Sequence, residues 1–402
     1  MKTRKKAIAL LMAASLFLTP LSASAEIATE FYSEDIFTPL PTVAPLDETS
    51  FTVAAKSAIL MDFATGDVIF QQNCHEPLAP ASVTKIMTLL LVMEAIDGGK
   101  LTLDTKITPS EHACSMGGSQ IWLEPNESMT VDELLRATVI ASANDAAVAL
   151  GEAVAGSDEA FVNMMNTRAK ELGMNDTKFL NATGLDAEGH HTSAYDIAIM
   201  SRELLKHDLI RQYSTVWMDS LRDGKSQLVN TNKLVRYYDG ATGLKTGTTS
   251  KAGHCLAASA RRDGMELIAV VMGSASSNDR FSSARQLLDF GFANYRVVTA
   301  EIPQAALSPI RVRRSLQKSV KLQADGKADF LVMKNDEELS FEYILPEELE
   351  APIAKGYVVG SAKVYVGRSL LGEIPILAAE TVRPVTFWEA FKVLWRSLMN
   401  MG

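Results

Sequence analysis

Ser82 and Lys85 stand three residues apart, a spacing that places a hydroxyl and an amine on the same face of a helix. The amine can then accept the hydroxyl proton while the oxygen attacks a carbonyl carbon. Lysine acts as a base only where burial and positive neighbours keep it partly neutral. The pair predicts covalent catalysis, with Ser82 as the nucleophile and Lys85 as the base. A second Ser-x-x-Lys, from Ser315 to Lys318, is interpreted as surface sequence without function.

A Ser-Ala-Asn motif follows within a stretch whose pattern predicts a helix over residues 131–155. Ser142 offers a hydroxyl that could relay protons in catalysis. Asn144 offers an amide that could bind the backbone of a substrate. Alone, this short motif is weak evidence for an active site, so its interpretation depends on the other motifs in the chain.

The third motif, Lys245, Thr246 and Gly247, lies on a predicted strand, where an incoming peptide could add as an extra strand. The lysine would supply positive charge and the threonine a hydroxyl for a substrate carboxylate. The glycine leaves room for a close approach. Taken in this order, the three motifs predict acyl transfer on a peptide that ends in a free carboxylate.

The elements around these motifs predict an α+β fold, with an antiparallel sheet and helices over residues 51–300. Short alternating strands then predict a small β-sandwich over residues 301–381. The elements predicted for the first region are a hairpin over 57–71, a helix from Ser82 to Gly98, helices over 131–155 and 158–172, strands between 244 and 272, and a helix over 279–295.

Residues 384–402 predict a final amphipathic helix, because their apolar side chains recur at helical spacing and charged ones fall opposite. Its charges exclude a membrane-spanning helix and favour one that lies in a membrane surface, over residues 386–401. The alternative is a helix packed on the protein's own β-domain. The apolar stripe consists of Phe387, Phe391, Leu394, Trp395 and Leu398.

The N-terminus has the pattern of a secretory signal peptide: basic residues, a short apolar run, and small residues ending at Ala25. An anchor left in place is the alternative, and residues 26–50 are typical of a linker. We therefore expect an exported protein, at the outer face of the cytoplasmic membrane or in the cell wall space. The net charge of −9 excludes nucleic acid as a partner. The spacing of Cys74, Cys114 and Cys255 leaves one bridge plus a free thiol possible.

Four stretches of this sequence resemble the low-molecular-mass penicillin-binding proteins that act as serine-type D-alanyl-D-alanine carboxypeptidases, peptidase family S11. The likeness extends over about residues 51–381. It implies a β-lactamase/transpeptidase-like domain followed by the β-sandwich and the terminal helix, without cofactor or metal. Ala143 replaces an aspartate of the class A β-lactamase motif, which favours the carboxypeptidases. The stretches are residues 81–88, 142–147, 171–186 and 243–247.

The resemblance also implies a reaction. Ser82 would be acylated by the penultimate residue of a peptidoglycan stem peptide ending in D-Ala-D-Ala, terminal D-alanine would leave, and water would clear the acyl-enzyme. The backbone N–H groups of Ser82 and Thr248 would form the oxyanion hole. Asn144, Lys245, Thr246, Gly247 and Thr248 would bind the substrate, and β-lactam antibiotics would inhibit.

Three alternatives stay open. A β-lactamase is suggested by Glu171 and Asn175, whose spacing is similar to that of the loop that carries the deacylating base in class A β-lactamases. The purely structural interpretation is a helix that ends at Gly173. A penicillin-binding cell-wall sensor would acylate without turnover. A zinc site could use His190 and His191 with Asp186, but two adjacent histidines on a Gly-rich loop without a third convincing ligand are more typical of a solvated turn.

Overall fold

The computed structural model describes residues 51–399, so the predicted signal peptide and linker lie outside the described residues. The first region is built around an antiparallel sheet in the order β2-β1-β9-β8-β7. Its strands, with two short peripheral pairs, are β1 (Ser57–Asp62), β2 (Val68–Gln72), β3 (Lys106–Ile107), β4 (Met129–Thr130), β5 (Met218–Leu221), β6 (Ser226–Val229), β7 (Ala241–Thr249), β8 (Gly253–Arg262) and β9 (Met265–Ser274).

Both faces of this sheet are covered, which explains why its strands are continuous apolar runs. In β1, Ile59 joins the core under the central helices, whereas Leu60 joins the core on the opposite face. Successive side chains of a strand point to opposite faces, so every position of β1 is buried. β1 pairs with β9, which brings the two ends of this region into one sheet. The predicted hairpin and antiparallel strands are confirmed.

The helices surround a central one that begins at Lys85 and is buried on nearly all sides as far as Met93. A 3₁₀ turn, Ala81–Thr84, leads into it. The helices are α1 (Lys85–Asp97), α2 (Glu111–Cys114), α3 (Val131–Ile140), α4 (Asn144–Ala155), α5 (Asp158–Glu171), α6 (Ala194–Leu205), α7 (Arg211–Ser214), α8 (Leu234–Tyr237) and α9 (Ser277–Asn294).

The helix predicted over residues 131–155 is wrong in its middle, because the chain breaks between α3 and α4. Ser142 has a φ of +63°, outside the helical region. In a continuous helix the Asn144 N–H would donate to the Ile140 carbonyl. Instead Asn144 N donates to Ser119 O at 2.7 Å, and Ile140 O accepts from Thr231 N at 3.2 Å. Distant backbone therefore supplies the bonds that the helix gives up.

The second region consists of strands arranged in small sheets around their own apolar core. β10, which precedes the domain boundary predicted at residue 300, pairs with β14, which follows it. Among the short strands predicted for this region, β12 and β13 are nearly consecutive in the chain but belong to different sheets. The strands are β10 (Tyr295–Ala300), β11 (Ile310–Arg313), β12 (Ser319–Val320), β13 (Leu322–Ala324), β14 (Ala328–Met333), β15 (Leu339–Ile344), β16 (Glu348–Glu350), β17 (Val358–Val366) and β18 (Ser369–Ala378).

A terminal helix, α10 (Phe387–Met399), follows this region. Its start is capped: Glu389 N donates to the Thr386 hydroxyl, and Thr386 N donates to the Glu389 carboxylate. Its apolar side chains are exposed, including Leu394 at 64% and Trp395 at 57%. No helix within residues 51–399 is long and apolar enough to cross a membrane. The predicted α+β fold, with a β-sandwich-like region and a C-terminal helix, is confirmed.

Candidate active site

Ser82 lies in the 3₁₀ turn that leads into α1, and not within the helix itself as predicted. Two glycines make room for this turn. A Cβ added to Gly184 would lie 2.9 Å from Ser82 N and closer still to Ala81 O. A Cβ added to Gly247 would also lie 2.9 Å from Ser82 N. β7 and the loop around Gly184 therefore both run directly against the backbone of Ser82, so closely that any residue larger than glycine would collide with it.

Lys85 begins α1 and is fully buried, with its amine directed at Ser82. Its Nζ lies 3.0 Å from Ser82 Oγ, 2.6 Å from Asn144 Oδ1 and 2.8 Å from Thr183 O. Two of these partners are carbonyl oxygens, which can only accept. A neutral amine would donate to both carbonyls and keep its lone pair for the Ser82 hydroxyl. The contact set thus suits the neutral, basic form of Lys85.

The electrostatic surroundings favour that same form. Burial is the largest cause holding the pKa of Lys85 well below its ordinary value, and the positive charge of Lys245 lowers it further. The carboxylate of Asp145 acts in the opposite direction. Since Lys85 loses its proton more readily than an ordinary lysine, it is better suited than an ordinary lysine to act as a base.

The Ser-Ala-Asn motif reaches the site through Asn144, whose side chain is held at both ends. Its Oδ1 accepts from Lys85, and its Nδ2 donates to Gly117 O at 2.6 Å. Ser142 lies at the helix break and is 4% exposed. Within residues 51–399 its hydroxyl makes no hydrogen bond, so a proton relay through Ser142 stays a prediction.

The Lys-Thr-Gly motif lies in β7, an edge strand of the sheet. Lys245 is buried, and burial, followed by the positive charge of Arg280, lowers its pKa to about 7. The Thr246 hydroxyl donates to Thr231 Oγ1 at 2.7 Å. Thr248 is more exposed, and its hydroxyl accepts from Arg280 at 3.0 Å. The three predicted motifs therefore converge around Ser82 from separate parts of the fold.

Sequence reasoning missed several residues that complete this site. Thr183 supplies a carbonyl to Lys85. The buried carboxylate of Asp145 accepts from the backbone of Ile121, Leu123 and Ala146, which fixes the loop beside Asn144. The signals that could have found Asp145 are its position directly after Asn144 and its place in the stretch 142–147.

The solvated turn predicted at His190 is wrong. His190 is 4% exposed, its Nδ1 accepts from Leu180 N at 3.1 Å, and its Nε2 lies 2.9 Å from Thr84 Oγ1. Because Nδ1 accepts, the proton of the neutral ring is on Nε2 and is donated to Thr84. Burial, followed by the nearby His191, lowers the pKa of His190 to about 4. Nε2 thus bonds the turn that carries Ser82, and Nδ1 fixes the ring to the backbone of Leu180.

Glu171 lies far from Ser82. Arg168 bonds both Glu171, at 3.2 Å, and Glu94, at 2.8 Å. Glu94 stands about 13 Å further along α1 than Lys85, at ~1.5 Å per residue. This position leaves Glu171 without access to an ester on Ser82. The three cysteines, whose pairing the sequence left open, are all free thiols.

A serine at the head of a buried helix, a buried lysine one turn on, and a sheet edge beside them define an enzyme that transfers acyl groups through an active serine. Comparison with known proteins agrees. Residues 43–276 match the family model for D-alanyl-D-alanine carboxypeptidase, peptidase family S11, and residues 304–384 match that for the penicillin-binding protein 5 C-terminal domain.

Individual relatives cover most of the chain. D-alanyl-D-alanine carboxypeptidase DacF of Bacillus subtilis is 43% identical, over 83% of this chain and 87% of its own length. The crystal structure of penicillin binding protein 5 from Haemophilus influenzae is 30% identical with a TM-score of 0.76, covering 85% of this chain and 99% of that one. Penicillin-binding protein D2 from Listeria monocytogenes, in its ampicillin-bound form, is 30% identical with a TM-score of 0.55, covering 60% and 99%. The chain belongs to the D-alanyl-D-alanine carboxypeptidase family, and the predicted class of activity is confirmed.

Proposed function

We propose that this chain removes the terminal D-alanine from peptidoglycan stem peptides that end in D-Ala-D-Ala, through an acyl-enzyme on Ser82. Ser82 Oγ attacks the carbonyl carbon of the penultimate residue while Lys85 takes the hydroxyl proton. Lys85 then returns that proton to the amine of the departing D-alanine. A water molecule hydrolyses the ester and restores Ser82.

The observation that carries this proposal is the set of contacts around the Lys85 amine. Two carbonyl acceptors hold the amine, and Ser82 Oγ lies 3.0 Å from it. The oxyanion hole is assigned to the N–H groups of Ser82 and Thr248, since Gly247 of the same strand lies against Ser82 N. Lys245 and Thr246 are assigned to the C-terminal carboxylate of the peptide. Because the Listeria relative binds ampicillin, inhibition by β-lactams is part of the proposal.

The proposal extends to location: export, followed by attachment of α10 to the membrane surface. Phe387, Phe391, Leu394 and Trp395 form an exposed stripe along one face of this helix, and Lys392 and Arg396 fall on the opposite side. Exposed apolar and aromatic side chains of this kind favour the interface of a membrane over water. Their exposure argues against a helix packed on the β-sandwich-like region.

One experiment tests the reaction and separates it from the alternatives. The purified protein is incubated with an N-acylated peptide ending in D-Ala-D-Ala and, separately, with benzylpenicillin. We expect free D-alanine from the peptide and a long-lived adduct that mass spectrometry locates on Ser82. Rapid loss of the adduct would indicate a β-lactamase, and an adduct without D-alanine release would indicate a sensor.

A further inference from the structure

The Thr246 hydroxyl, assigned above to the peptide carboxylate, already has a partner outside the three motifs. It donates to Thr231 Oγ1 at 2.7 Å. Thr231 lies between β6 and α8 and is half-buried, so its side chain keeps some access to solvent. No sequence pattern pointed to this residue.

The backbone around Thr231 is firmly held. Thr231 N donates to Ile140 O at 3.2 Å, which attaches it to the helix break that carries Ser142. The neighbouring Asn230 side chain donates to Val216 O at 2.8 Å. The Thr231 hydroxyl is therefore placed between the Ser-Ala-Asn break on one side and β7 on the other.

The protons of the two hydroxyls decide what this pair can bind. Each threonine hydroxyl has one proton, and the proton of Thr246 is used in the bond to Thr231. Within residues 51–399 the Thr231 hydroxyl makes no other hydrogen bond, so its own proton is available. A carboxylate is purely an acceptor and needs such a donor beside the positive charge of Lys245.

We propose that Thr231 is a further substrate-binding residue, whose hydroxyl accepts from Thr246 and donates its own proton to the free C-terminal carboxylate of the peptide. This inference rests on the proposed function, because it names the group on the substrate that this part of the site selects. Thr231 thereby contributes to the preference for a terminal carboxylate over an internal peptide bond.

The test compares two peptides ending in D-Ala-D-Ala, one with a free carboxylate and one amidated, on the full chain. We expect Thr231→Val to lower kcat/KM for the free acid roughly tenfold, mainly through KM, while the amide changes little. Thr231→Ser should restore the preference for the acid. Thr215→Val is the matched control, because that exposed hydroxyl donates to Arg211 O of its own short helix, and it should leave both rates unchanged.

Two results would overturn the inference: an equal loss on both peptides, or an unchanged preference for the acid in Thr231→Val. If that variant does not fold, Thr231→Ala is judged by the same ratio. Failure of the proposed function looks different, since the unmodified chain would then release neither D-alanine from the free acid nor D-alaninamide from the amide, and both proposals would be wrong.

Discussion

At the scale of single residues, two Ser-x-x-Lys sequences with the same spacing stand in opposite surroundings. Ser82 faces a buried amine at 3.0 Å. Ser315 lies in the turn between β11 and β12, where its hydroxyl accepts from Gln317 N, and Lys318 is exposed. Spacing alone therefore does not make a nucleophile, because the lysine must also be desolvated before it can accept a proton.

This contrast gives the first prediction. Ser82→Ala should abolish both labelling by benzylpenicillin and release of D-alanine, because no other hydroxyl occupies its position. Ser315→Ala is the matched control and should change neither. Labelling is followed by mass spectrometry of the intact protein. Persistent labelling of the Ser82→Ala protein would show that the nucleophile is misassigned.

The second prediction concerns the base. Lys85→Arg keeps the positive charge, but a guanidinium cannot give up its proton near neutral pH, so acylation should fall by roughly 10²–10⁴-fold. Lys85→Met, which has no base, should be comparably slow. Circular dichroism checks that both variants are folded. An arginine variant that acylates at the unmodified rate would remove Lys85 from this role.

At the scale of elements, the 3₁₀ turn Ala81–Thr84 depends on a histidine more than a hundred positions away in the chain. His190 donates to Thr84 in its neutral form, and burial lowers its pKa from 6.5 to about 4. Between these values the unfolded chain binds the proton and the folded one does not. The stability that His190 contributes is therefore complete above pH 6.5 and is lost as the pH falls towards 4.

This linkage gives the third prediction. The free energy of unfolding should decrease between pH 7 and pH 4 by on the order of 3 kcal/mol more in the unmodified chain than in His190→Gln. Urea unfolding at several pH values measures the difference. Asp62, whose pKa burial raises to about 6, acts in the opposite direction, but it is present in both proteins and cancels. Parallel pH curves for the two proteins would contradict the assignment.

At the scale of the whole molecule, α10 extends beyond the two regions and presents its apolar side chains to solvent. If α10 is the membrane anchor proposed above, truncation before Pro384 should release the protein into the soluble fraction and leave hydrolysis of a small D-Ala-D-Ala peptide intact. The catalytic contacts described above all lie N-terminal to this point. Cell fractionation and an activity assay measure the two effects.

A subtler pair of variants keeps the helix and tests the stripe alone. Phe391→Gln with Trp395→Gln should lose binding to vesicles that contain anionic lipid, whereas Val393→Gln, off the stripe, should retain most of it. If the truncated protein stays with membranes, or unfolds, the stripe is not the anchor.

Local patterns in the sequence determined much of this protein. The spacing of Ser82 and Lys85, the Lys-Thr-Gly motif on a strand, and the apolar stripe of α10 each lie within one element. Such patterns can be interpreted from the sequence because the helix and strand periods decide which side chains share a face within one element. The class of fold and of activity followed from them.

Tertiary structure alone decided the state of the catalytic groups. The pKa of Lys85 lies well below its ordinary value because the fold buries its amine and brings the positive charge of Lys245 near it. Asn144 and Thr183, from distant segments, supply its hydrogen-bond acceptors. The helix stops before Ser142 because Thr231 takes the carbonyl that would have continued it. Burial and hydrogen bonds between remote segments depend on how the elements pack, and no local period encodes them.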